Sequence, residues 1–175
     1  MLIAARLHAV RASLATIPSR KDLLQSFIPI GLYITSALVI GFTTDFLRIE
    51  FLHTDIHRYL ILPFSMMIIP SFLEELAFRA FLLPHPSKPT GKFATRLACF
   101  ASITLYVVWH PFYAAVSGVG IPIFDPPFLG IVLILGITCT WLYIRTGSVW
   151  LPTFIHWLTV TVWVFFMGGR NIIVV

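Results

Sequence analysis

The chain has 175 residues, of which 58% are hydrophobic and 11% charged, with a formal net charge of +5. A soluble domain carries about a quarter charged residues, so a water-soluble globule is excluded and the solvent of most of the surface is lipid. The cations flank apolar segments, as topology determinants do, so the basic balance points to a bilayer and not to nucleic acid.

Residues 1–17 place Arg6 and Arg11 among aliphatic side chains, a pattern that suits an interfacial helix. Five apolar segments follow, at about residues 27–47, 59–83, 97–116, 128–144 and 149–167. Each approaches the ~20 residues that a spanning helix requires. The expected fold is therefore all-α: one integral membrane domain over residues 1–175, a polytopic bundle of about five spanning helices. The breaks carry turn chemistry: Pro84, Pro86 and Pro89 with Gly91, then Gly118, Gly120, Pro122, Pro126 and Pro127, then Gly147 in a tight hairpin with Thr146 and Ser148. Cys99 and Cys139 both lie in apolar runs and imply neither a disulfide framework nor a cysteine zinc site.

Charge sets the orientation. With the N-terminus in the cytoplasm, Arg6, Arg11, Arg20, Lys21, Lys88, Lys92, Arg96 and Arg145 fall inside, and Arg48, Arg58 and Arg170 fall outside. This obeys the positive-inside rule. A short chain of this kind suits a bacterial inner membrane.

What interrupts the apolar segments carries the chemistry, because a charge at bilayer depth is costly and marks function by default. The second segment holds Glu74, Glu75 and Arg79, the third Tyr106 and His110, and the fifth His156. Glu75 and Arg79 are four apart, share a helical face and can pair. Glu74 is turned ~100° away, which leaves it free to face a cavity as a general base. Counting ~1.5 Å per residue from the cytoplasmic ends puts Glu74, His110 and His156 at one level. Pro111, directly after His110, and Pro70, four residues before Glu74, should free backbone there, as is tolerated where it lines a cavity. Trp109, Trp141, Trp150, Trp157 and Trp163 read as core or interface anchors, and His53, His57 and His85 as loop residues without a signal.

The run Glu74-Glu75-Leu-Ala-Phe-Arg79 resembles the E-E-x-x-x-R motif of the CAAX-protease and bacteriocin-processing family, the glutamic-type intramembrane endopeptidases. Tyr106-Val-Val-Trp-His110 fills the family's F-x-x-x-H motif with Tyr for Phe, and His156-Trp-Leu-Thr-Val160 its H-x-x-x-N or H-x-x-x-D motif. The resemblance covers about residues 65–163. It implies that Glu74, with His110, activates a water for attack on a peptide carbonyl, and that His156 stabilises the oxyanion. Glu75, Arg79 and Tyr106 would support the site, Tyr106 by packing or as an orienting hydroxyl. Val160 departs from the motif and offers no hydrogen bond; Thr159 and Thr161 are the candidate substitutes. A glutamate-activated water needs no metal, so none is expected. If a metal takes part, Glu74, His110 and His156 would suit Zn²⁺ by donor type. The partners implied are the lipid bilayer and a membrane-associated peptide or protein substrate reached from the cytoplasmic side. The alternative is a non-catalytic relative acting as a membrane immunity or interaction protein.

Overall fold

The computed structural model describes residues 2–88, 90–117 and 124–169. Pro89, the Gly118, Gly120 and Pro122 turn, and Arg170 lie outside the described residues. Among the described residues six helices follow one another: α1 (Leu2–Ala15), α2 (Arg20–Thr43), α3 (Ile56–Phe81), α4 (Lys92–Ser117), α5 (Pro126–Thr146) and α6 (Trp150–Phe166). Helices α2 to α5 are long and apolar enough to cross a membrane. The fifth expected span, α6, has 17 residues and reaches ~25 Å at 1.5 Å per residue, at the short end for a crossing helix.

Sequence-local chemistry sets the helix ends. Ser19 accepts from the Asp22 N–H while Asp22 reaches back to the Ser19 N–H, a reciprocal cap. It starts α2 seven residues ahead of its apolar run. Asp55 caps α3 and Asp125 caps α5, ahead of Pro126 and Pro127 in its first turn. Gly147 closes α5 with φ +70°, a left-handed conformation that glycine adopts without penalty. This forms the expected hairpin into α6.

Over its most apolar 18 residues α5 is 56% buried, where α2, α3 and α4 are 17% buried, so α5 is the hub. It packs on α2, α4 and α6. Helix α3 packs on α6 through residues 56–72, chiefly Met67–Phe72, and on α4 through Leu76–Phe81. Helices α3 to α6 thus close a ring, with α2 leaning on α5. The outer faces are apolar: Phe27 and Ile28 on α2, Phe64 on α3 and Phe100 on α4 are all more than two-thirds exposed, while Glu75 and Arg79 are wholly buried. This inversion suits a lipid solvent.

Helix α1 lies across one end of the ring. Arg6 donates to the Leu82 carbonyl (2.6 Å), the Trp150 indole to the Leu14 carbonyl (2.9 Å), and Ala9 and Ser13 are buried. By chain order the eight cations assigned above to the cytoplasm flank the helix ends on this side, with Asp22 among them.

Candidate active site

Helix α3 is irregular where it carries its charges. Proline pushes the preceding residue out of the helical region, and Ile69 sits at φ −127°, ψ 118° before Pro70. Wide turns at Met67–Phe72 and Leu76–Phe81 flank the α-helical turn Leu73–Glu75, and such turns concentrate at functional sites.

Below this kink the polar groups are fully packed. Glu75 Oε2 lies 3.2 Å from Arg79 Nε, and both side chains are 0% exposed. Arg79 Nη2 donates to the Gly136 carbonyl of α5 (3.2 Å), and its guanidinium lies 4.1 Å above the Tyr106 ring centroid. Gly136 is required here. A Cβ would stand 2.9 Å from Tyr106 Cδ1, closer than non-bonded carbons approach. Glu75 Oε1 accepts from His156 Nδ1 at 3.0 Å. The carboxylate has no proton to give, so Nδ1 carries the hydrogen and Nε2 faces away from Glu75.

Glu74 is set differently. Its Oε1 accepts from the Trp109 indole at 3.0 Å. Its Oε2 lies 3.9 Å from His110 Nε2 and 4.0 Å from His156 Nε2. His110 Nδ1 donates to the Tyr106 carbonyl one turn back (2.8 Å), which leaves the Nε2 lone pair facing Glu74. The three residues proposed from depth counting therefore meet at one point, from α3, α4 and α6. They form part of the wall of an apolar cavity of about 670 Å³, with Tyr33, Phe128, Val160 and Trp163 further along it.

Two expectations change, at Trp109 and Thr159, and one narrows, at Tyr106. Trp109 is not a passive anchor but a hydrogen-bond donor to Glu74; its place beside His110 was the available signal. Tyr106 orients the site through its ring and backbone carbonyl, because its hydroxyl makes no hydrogen bond among the described residues. Thr159 cannot replace the missing motif donor: its hydroxyl donates to the Ile155 carbonyl (2.8 Å) while sharing a contact with Tyr33 (3.0 Å). Thr161 is not among the residues that line the cavity. Gly136 was missed altogether.

Zn²⁺ would need its ligands gathered at ~2.0–2.2 Å from one point. Among the described residues, no three His, Cys, Asp or Glu side chains form such a group. Glu74, His110 and His156 would be the residues to hold a metal by donor type, their donor atoms standing 3.9 and 4.0 Å apart.

The fold and site define a polytopic helical membrane protein with a buried glutamate set against two imidazoles. Residues 56–162 match the family described as Type II CAAX prenyl endopeptidase Rce1-like. The chain belongs to this family, which is a protease family. Comparisons with curated proteins and with solved structures returned no match.

Proposed function

We propose that the protein hydrolyses a peptide bond of a membrane-associated protein, with Glu74, His110 and His156 as the reacting groups. One observation carries this reading: Glu74 Oε2 faces the Nε2 atoms of His110 and His156 at 3.9 and 4.0 Å. A water bridging these three atoms would be polarised by Glu74 and by the His110 lone pair. Glu74 takes its proton as the oxygen adds to the carbonyl carbon, then delivers it to the leaving nitrogen as the C–N bond breaks. To donate from Nε2 to the developing oxyanion, His156 must carry a second proton. The buried charges then cancel, Glu74 and Glu75 against Arg79 and His156, which limits the cost of holding them in a dry site.

By the positive-inside rule the eight-cation end, and with it the N-terminus, would face the cytoplasm, and a bacterial inner membrane is the membrane proposed. Val160 favours a second reading, a non-catalytic interaction protein, since it puts a methyl group where the family motif has an amide or carboxylate.

Quantitative mass spectrometry of native membranes decides between the two. Glu74→Ala and His110→Ala should each accumulate the same uncleaved precursor, while the protein stays inserted and folded. If neither variant changes any processing but deleting the gene has a phenotype, the interaction reading replaces the hydrolytic one. Cleavage that persists in the presence of a strong zinc chelator is also expected, and its loss would restore the metal.

A further inference from the structure

An oxyanion in this site would meet one donor already named, His156, and a second has to come from the cavity wall. Most of the wall's donors are committed. The Tyr33 and Thr159 hydroxyls contact each other (3.0 Å), with Thr159 donating to the Ile155 carbonyl. The Trp109 indole donates to Glu74 (3.0 Å). Tyr113 is half exposed, at the rim. The Trp163 indole N–H has no partner among the described residues, but its ring stacks on Phe128 at 5.9 Å and Phe128 in turn meets His110 at 5.7 Å, whereas Tyr106 meets His110 and His156 directly.

Tyr106 remains. It is 0% exposed, lines the same cavity as Glu74, and its ring stands roughly perpendicular to both imidazoles, with centroids 4.7 Å from His110 and 5.9 Å from His156. Its hydroxyl is buried without a hydrogen-bond partner among the described residues. Phenylalanine would keep every ring contact, including the Arg79 guanidinium at 4.1 Å, and would avoid burying an unsatisfied hydroxyl, which costs free energy. A local cost retained beside a site is a mark of function.

We propose that the Tyr106 hydroxyl is a catalytic hydrogen-bond donor to the oxyanion, filling the role that Val160 leaves open. The inference rests on the hydrolytic reading above. As the water oxygen bonds to the carbonyl carbon, the C=O electron pair moves onto oxygen. Tyr106 Oη–H and His156 Nε2–H both donate to that oxygen. Neither gives up its proton, and the charge returns to the C–N bond's nitrogen as the bond breaks and Glu74 delivers the water's proton there.

The test uses the full chain in native membranes and follows, by pulse-chase, conversion of the precursor that accumulates in Glu74→Ala. Tyr106→Phe should slow conversion on the order of 100-fold, the scale of one oxyanion donor, with an unchanged or raised thermal midpoint. Adding Val160→Asn to Tyr106→Phe should recover a large part of that rate, while Val160→Asn alone changes it little. Wild-type conversion by Tyr106→Phe, with Glu74→Ala inactive, overturns the inference and leaves the hydrolytic reading standing. Slow conversion with a lowered midpoint and no recovery from Val160→Asn also overturns it, since the ring would then be structural only. Normal conversion by both Glu74→Ala and Tyr106→Phe removes the hydrolytic reading and this inference with it.

Discussion

Glu74 and Glu75 are neighbours in sequence and belong to opposite regions of the molecule. Glu75 lies in a closed layer with Arg79, His156 and the Gly136 carbonyl, wholly buried and held from three helices. Glu74 opens onto the apolar cavity, held at one oxygen by Trp109 and 14% exposed. A single residue step of ~100° around the helix separates a carboxylate that fixes structure from one that is positioned to react. The lower layer buys rigidity for the upper: Glu75 sets the His156 tautomer, and Tyr106 sets both the Arg79 plane and the His110 tautomer.

Breaking the lower layer should have the largest effect on stability. Arg79→Met keeps the length of the side chain but removes the guanidinium from the pair with Glu75 at 0% exposure, leaving Glu75 only its His156 contact. Loss of one partner from a buried pair costs about 3–5 kcal/mol, to be read from unfolding in detergent micelles. Glu74→Gln should cost less than about 1 kcal/mol, because the Trp109 hydrogen bond survives on an amide oxygen. Equal losses in the two variants would show that the two layers form one cooperative unit and remove the distinction drawn between them.

That contrast was half legible in the sequence. The Glu75–Arg79 pair follows from i, i+4 spacing, and the meeting of Glu74, His110 and His156 from depth counted along three helices, because helical rise is regular and lipid fixes the level of the ends. The helices α2 and α4 begin several residues ahead of the apolar segments they carry, at Arg20 and Lys92, where hydropathy alone gives no helix. What stayed hidden depends on rotation about helix axes and on tautomers. Trp109 reads as a membrane anchor until its indole is seen to face Glu74, and Gly136 reads as one apolar position among many until the Tyr106 ring is seen against it. Hydropathy does not encode either orientation.

Gly136→Ala sharpens the comparison from α5. The added Cβ would meet the rigid Tyr106 ring at 2.9 Å and stand 3.6 Å from Arg79 Nη2. Overpacking of this kind costs roughly 1–3 kcal/mol. Because the Tyr106 carbonyl holds His110, precursor cleavage should fall along with stability. A variant destabilised within that range but with wild-type cleavage would show that the lower layer moves without disturbing the reacting groups.

The smallest effect lies outside the membrane, where a third histidine is held by the same tautomer logic. His85 sits in the α3–α4 loop with Nε2 at 3.0 Å from the Gly147 carbonyl, so Nε2 carries the hydrogen, and its Nδ1 accepts from the Ser87 N–H (3.2 Å). Nδ1 also lies 2.8 Å from the Ser87 hydroxyl, which donates to it in the neutral form. A second proton would displace the Ser87 N–H contact, and burial holds the imidazole below its ordinary value, with His8 of α1 opposing the charge as well. The folded state therefore binds this proton less readily than the unfolded chain. Stability from this latch is complete above about pH 6.5, the ordinary imidazole value, and is lost as pH falls through that value towards the depressed folded one. Thermal midpoints measured between pH 7.5 and 5 should drop more steeply for the wild type than for His85→Gln, which starts lower but has no ring to protonate. Parallel slopes would show that the α3–α4 loop does not sense pH and that the acid sensitivity of the fold belongs to other groups.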